Sequence, residues 1–329
     1  MKFLIAGLGS IGQRHLRNLS DILGAEIIAY RVKKRELGEI EERYNLTTFS
    51  DLDTALSQNP DAVLVTNPTS LHMPVALASA MSGCHLFIEK PVSHSLEGVD
   101  ELIDISEKNN LVILVGCNLR FHPSLRLIKR FLDEKRIGKI TSARLHVGEY
   151  LPSWHPWEDY RRGYSARSAL GGGVILTLIH ELDYAYWFFG EVEKVFCFAG
   201  KLSSLEIDTE DTAEILLMFK NNIIVEVHMD YIHRPPSRSC HIIGEEGVIL
   251  WDYYKRQVEL FSVQDEKWLI FREEESFERN DMYIEEMKHF INSIERKEKP
   301  LVSVRDGKRA LEIALAAKES AETGKVAYL

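Results

Sequence analysis

The feature that most restricts this chain lies at its start. An apolar run at residues 3–6 leads into Gly7-Leu8-Gly9-Ser10-Ile11-Gly12 and then into a helix-like segment over 11–19. A strand, a GxGxxG turn and a helix, in that order, open a βαβ unit suited to a dinucleotide. Gly7 permits the tight turn, Gly9 lets the backbone approach a pyrophosphate, and Gly12 lets the helix pack close to the strand. The helix start, with Ser10 and Ile11, offers free N–H groups and a partial positive charge to the phosphates. The string alone also fits a plain structural turn, so the strand and helix around it carry the reading.

The same alternation continues. Short apolar runs at 27–30, 62–65, 86–88 and 112–115 are separated by helix-like segments at 36–44, 74–81 and 96–109. Continuous, β-branched runs of this kind are strands buried on both faces of a parallel sheet. The pattern changes after residue 123. A helix is predicted over 124–131, strands over 140–147, 195–199, 213–219 and 223–230, and late helices over 282–294 and 306–319. Asn221-Asn222 fits a tight hairpin turn. In 223–230, Ile223, Val225, Val227 and Met229 share one face, opposite Glu226, His228 and Asp230, as in an antiparallel sheet with one face on a core. A chain of 329 residues has the length of about two domains, and the boundary is placed at 122/123.

Composition removes several classes. The net charge of −10 is unsuited to general binding of nucleic acid or an anionic membrane, which needs concentrated Lys and Arg. No apolar stretch approaches the roughly 18–20 residues that span a bilayer. The start, MKFLIAGLG, is broken by glycines and reads as a buried strand, not a leader. Cys84, Cys117, Cys197 and Cys240 form no CxxC pair and each lies in or beside an apolar run. Buried free thiols in a cytoplasmic protein are expected.

Two strand ends carry further chemistry. At the end of the second strand an NAD site usually has an acid for the ribose 2′-hydroxyl. Arg31 stands there, with Lys33, Lys34 and Arg35 beside it. Arginine can hold a 2′-phosphate by charge and by bidentate bonding. NADP is therefore preferred over NAD, a solvated basic turn being the plainer alternative. The fourth long strand ends in Glu89-Lys90-Pro91, at the carboxyl edge where cofactors bind in such sheets. A partly desolvated Lys90 can exchange a proton with a substrate hydroxyl.

GLGSIGQRH at the start, TNPTSLHMP at 66–74, EKP at 89–91 and GGGVILTLIHELD at 171–183 occur in order. Together they resemble the glucose–fructose oxidoreductase/inositol dehydrogenase family (Gfo/Idh/MocA), over essentially the whole chain. The resemblance implies an N-terminal Rossmann domain and a C-terminal α/β domain with an open, mostly antiparallel sheet. It implies NAD(P)-dependent hydride transfer at a carbon of a sugar, polyol or nucleotide-sugar. It makes Lys90 the catalytic lysine, with a cis bond to Pro91, and it adds Thr66 and Asn67 to the cofactor-binding residues, beside Gly7, Gly9, Ser10, Ile11, Gly12, Arg31, Glu89 and Lys90. It also implies a homodimer or homotetramer, because an open sheet face needs a cover.

The second half of the site is expected on a helix over 170–189, with Gly171, Gly172 and Gly173 giving a close approach to cofactor or substrate. The family carries an Asp about one turn before its His. Here Leu176 and Thr177 stand four and three residues before His180, so that acid is missing. His180 remains the acid/base candidate, and Asp183 is a supporting residue. The aromatic and arginine-rich loop at 150–168 contributes Trp154, Arg162 and Tyr164 to the substrate-binding set, with Asn118, Arg120 and Thr177. Aromatic rings stack on sugars, and arginines hold carboxylate or phosphate. His122 is expected to pack. No second His or Cys stands at ligand spacing from His155, so no metal is assigned. A non-catalytic dinucleotide-binding regulator on the same fold is the competing reading.

Overall fold

The computed structural model describes residues 1–23, 25–32, 39–264 and 266–329. Two compact units emerge: Met1–Asn118 with Arg279–Lys308, and Leu119–Glu278 with Arg309–Leu329.

The first unit is a parallel sheet with strand order β3-β2-β1-β4-β5-β6. Its elements are β1 (Lys2–Ala6), α1 (Ser10–Leu23), β2 (Glu26–Tyr30), α2 (Glu39–Arg43), β3 (Thr47–Phe49), α3 (Leu52–Leu56), β4 (Ala62–Val65), α4 (His72–Met81), β5 (His85–Glu89), α5 (Val99–Lys108) and β6 (Ile113–Gly116). This is the Rossmann order, which reverses between β1 and β4 and leaves a crevice at their carboxyl ends. β1 and β4 have almost no polar side chain because helices cover both sheet faces.

The second unit has nine strands in its sheet among the described residues. After α6 (Pro123–Asp133) come β7 (Ile140–Gly148), α7 (Val174–Thr177), α8 (His180–Phe189), β8 (Val192–Gly200), β9 (Thr212–Phe219), β10 (Ile224–Asp230), β11 (Ser237–Gly244), β12 (Gly247–Asp252), β13 (Gln257–Ser262) and β14 (Lys267–Arg272). α9 (Arg279–Ile294), α10 (Val304–Thr323) and β15 (Ala327–Tyr328) complete the chain. The sheet order is β14-β13-β12-β11-β7-β10-β9-β8-β15, antiparallel throughout except for β10 on β7. β10 alternates as the sequence predicts, with Val225, Val227 and Met229 buried and Ile224 and Glu226 exposed. Asn222 takes the left-handed corner of its hairpin, φ 65°.

A single cut at 122/123 does not describe this division. Met287, Phe290 and Ile291 of α9 bury in the same core as Phe3, Leu64 and Phe87. Past α9, Val115 N donates to Val302 O at 3.0 Å, beside an isolated bridge between Leu114 and Ser303. The chain thus returns to the Rossmann unit to cover one of its faces. The strands β11 to β14 escaped the sequence reading because their alternation is disguised. β11 turns Arg238 and Cys240 inward, while β14 leaves Trp268 and Ile270 exposed.

Candidate active-site residues

The glycine turn shows three different environments. Gly7 has φ 109°, and a Cβ there would lie 2.8 Å from Asn67 N. A Cβ on Gly12 would lie 2.0 Å from Gly7 O. A Cβ on Gly9 would meet nothing within 4 Å. Two glycines therefore serve the fold, and the third leaves open space over an exposed Ser10 at the start of α1. A turn that is tight beneath and open at Gly9 fits the close approach of a pyrophosphate.

Strand register brings the other unit 1 residues level. Ala6 pairs with Val65, and Val65 with Ile88, so Gly7, Thr66 and Glu89 emerge at one edge of the sheet. The Thr66 hydroxyl donates to Gly7 O at 2.6 Å and is committed to holding the turn. Asn67 Nδ2 donates to Leu71 O at 3.0 Å, and its buried Oδ1 has no hydrogen-bond partner among the described residues. Glu89 is buried and accepts from His15 Nε2 at 2.7 Å. Its carboxylate thus faces α1, where the sequence reading had assigned it to the cofactor. Lys90 follows, half-buried, and its bond to Pro91 is cis. Arg31 leaves the end of β2 half-buried, its N–H bonded to Phe49 O at 2.9 Å. Lys33, Lys34 and Arg35 lie outside the described residues.

In the second unit the predicted helix over 170–189 is interrupted. Gly171 and Gly173 have φ 76° and 104°, so α7 starts only at Val174. It ends at Thr177, and α8 starts at His180. The glycines approach the chain itself. A Cβ on Gly172 would collide with the Tyr164 and Ser165 carbonyls, and one on Gly173 with the Glu210 carboxylate. Thr177 and His180 are both buried, at either side of the break. Burial pushes the Tyr231 hydroxyl pKa well up, and that hydroxyl lies 3.5 Å from Ser165 O. Trp154 meets the Tyr231 ring edge-on at 5.5 Å. Arg162 is exposed and Tyr164 half-buried, in successive single turns.

The remaining predicted residues separate by burial. Asp183 lies on the first turn of α8 and accepts hydrogen bonds from Arg120 Nε and Nη2. Arg120 is buried in that pair, which neutralises its charge. Asn118 is buried at the end of the first unit. His122 packs, as read: it is buried among Trp251, Tyr253 and Phe277, and burial pushes its pKa down to about 3. The sequence reading missed His15, His72, Tyr231 and the Arg238–Glu181 pair, whose Nε–Oε1 distance is 2.8 Å. Each is a lone polar residue in an apolar context, and no spacing reveals its partner.

A Rossmann sheet with an open GxGxxG turn and a lysine at a strand end on the same edge, followed by a mostly antiparallel sheet, defines a dinucleotide-dependent oxidoreductase. Comparison with known proteins agrees. Residues 1–117 match a family model described as "Oxidoreductase family, NAD-binding Rossmann fold", and residues 129–329 match the same family's "C-terminal alpha/beta domain". The chain belongs to the Gfo/Idh/MocA oxidoreductase family. It is 31% identical to a myo-inositol 2-dehydrogenase of Thermotoga maritima, covering 98% of this chain and 96% of that one. A solved structure of a probable dehydrogenase from Thermotoga maritima matches with TM-score 0.80 and 29% identity, over 100% of this chain and 99% of that one. The WlbA dehydrogenase of Bordetella pertussis, solved with NADH and UDP-GlcNAcA, shares the fold at TM-score 0.85 and 22% identity, over 100% and 98% of the two chains.

Proposed function

We propose that the protein is an NAD(P)-dependent dehydrogenase acting at a CH–OH carbon of a sugar, polyol or nucleotide-sugar. The observation that carries this reading is the level edge in the first unit: the open Gly9 turn after β1 and Lys90 after β5 leave the same edge of one parallel sheet, with β4 between them. The nicotinamide, when bound, accepts or returns the hydride. The chain's own residues hold the nucleotide and manage the hydroxyl proton. Lys90 takes or returns it, and His180 is the second acid/base. Trp154, Arg162 and Tyr164 contact the substrate. The relatives that act on myo-inositol and bind UDP-GlcNAcA support this class.

NADP is preferred, on the strength of Arg31 at the end of β2. The protein works in the cytoplasm, in keeping with four buried free cysteines. No helix among the described residues is long and apolar enough to cross a membrane. The chain forms a homodimer or homotetramer through the outer sheet face, where Phe198, Leu216, Ile224, Trp268 and Ile270 stand exposed.

The test is a nicotinamide-absorbance screen of myo-inositol, aldoses and UDP-sugars at several pH values. Turnover with one of them, abolished in Lys90→Ala and strongly reduced in His180→Ala, is expected. Full nucleotide binding with no turnover of any of them would favour the regulator instead. Light scattering should give a multiple of the 37.7 kDa chain mass, and a monomer at micromolar concentration would remove the oligomer.

A further inference from the structure

Two buried histidines lie on either side of Lys90. On one side, His15 of α1 is completely buried and its Nε2 donates to Glu89 Oε1 at 2.7 Å. The ring is seated edge-on against Phe87 of the same strand, with centroids 4.9 Å apart. On the other side, His72 opens α4. Its Nδ1 lies 2.9 Å from Pro91 O and its Nε2 lies 2.9 Å from Asn67 O. Asn67 is the residue against which Gly7 is packed. One imidazole therefore spans the carbonyl of Pro91, the residue after Lys90, and the loop that supports the glycine turn.

This arrangement has a definite chemical consequence. Burial lowers the His72 pKa, against the pull of the Asn67 and Pro91 carbonyls. The neutral ring has one N–H and donates to one of those two carbonyls, according to its tautomer. A phenyl ring could fill the space but could hold neither. Truncation would leave whichever carbonyl the ring serves without its donor, and a carbonyl at a strand end then re-aims to find another.

We propose that His15 and His72 are positioning residues for Lys90, gripping the residue before it and the residue after it so that its side chain has one path away from the sheet. Neither residue touches substrate in this role. The inference rests on the reading of Lys90 as the residue beside the nicotinamide, and the experiment separates the two.

Lys90 in the full chain is labelled by reductive methylation, with and without saturating nucleotide, using NAD⁺ or NADP⁺, whichever binds more tightly. The Lys90 peptide is quantified by mass spectrometry against exposed Lys139. Nucleotide should slow labelling of wild-type Lys90 about fivefold or more, because a well-placed group is sensitive to shifts of about 1 Å. In His72→Leu and His15→Leu this protection should fall below about twofold, while the calorimetric Kd changes by less than about threefold. His72→Asn and His15→Gln, which keep a donor, should recover most of it, and they carry the test if the leucine variants fold poorly. Full protection in variants that have lost the donor, or in none of the conservative ones a recovery, overturns the clamp and leaves the reading of Lys90 standing. No protection in the wild type overturns both.

Discussion

Arg120 and Asp183 form a doubly bonded ion pair, Nε to Oδ2 at 3.0 Å and Nη2 to Oδ1 at 2.8 Å, with both side chains buried. Arg120 stands in the short turn that opens the second unit, and Asp183 lies one turn after His180 on α8. The pair therefore fixes the start of α8, on which His180 is the first residue. Trp187, one turn further along, lies against the guanidinium at 5.6 Å.

Removing one partner should leave the other buried and uncompensated. Asp183→Asn or Arg120→Met should each destabilise the protein by about 3–5 kcal/mol. The double change Arg120→Met with Asp183→Asn should cost less than the sum of the single ones. Denaturant titration of the four proteins checks this. Additive losses would show that the two side chains are not coupled.

The glycine turn separates fold from binding. Gly9→Val, with open space around its new side chain, should shift stability by less than about 1 kcal/mol and abolish nucleotide binding. Gly12→Val drives into the Gly7 carbonyl and should cost about 3 kcal/mol or more. Thermal melting without nucleotide, followed by calorimetric titration of Gly9→Val, distinguishes them. Native affinity in Gly9→Val would mean the pyrophosphate lies elsewhere.

Arg31→Asp should weaken NADP⁺ by about 10- to 100-fold, the worth of one charge-assisted bond, and leave NAD⁺ unchanged or tighter. The two dissociation constants are measured at moderate salt. A wild type that binds NAD⁺ more tightly than NADP⁺ would reduce Arg31 to part of a solvated turn.

His228 gives the outer sheet face a pH dependence. Its Nε2 bonds Asp230 at 2.9 Å and its Nδ1 bonds Glu214 at 2.6 Å, and these carboxylates, Asp230 first, raise its pKa to about 9. His146 stacks on it at 4.8 Å, and burial, aided by His228 and His233, lowers the His146 pKa. A raised pKa means the folded state binds the proton more tightly. The stabilisation is then complete below about pH 6.5 and is lost as pH rises through about 9. Because Glu214 is half-exposed, the loss should be roughly 1–2 kcal/mol. Melting of wild type and His228→Asn over pH 6–10 should show the slope only in the wild type; parallel curves would remove the assignment.

The first unit was largely legible in the sequence, and the reason is local. β1, β4 and β5 are buried on both faces, so their apolar runs are unbroken, and the conformational needs of Gly7 and Gly12 are met by their own neighbours. Lys90 and His180 stand out as candidates because the motifs around them are contiguous. Tertiary structure decided everything that depends on a distant partner. Arg120 reads as a binding cation until Asp183 is found against it, 63 positions along the chain. Glu89 reads as a cofactor ligand until His15 takes its carboxylate. The helix over 170–189 breaks because Gly171 and Gly173 take left-handed conformations, and the Rossmann core closes only when α9 returns to it. Periodicity records which face of an element is apolar. It holds no record of which charged group, far along the chain, will meet another once the faces are packed, and burial makes that pairing obligatory.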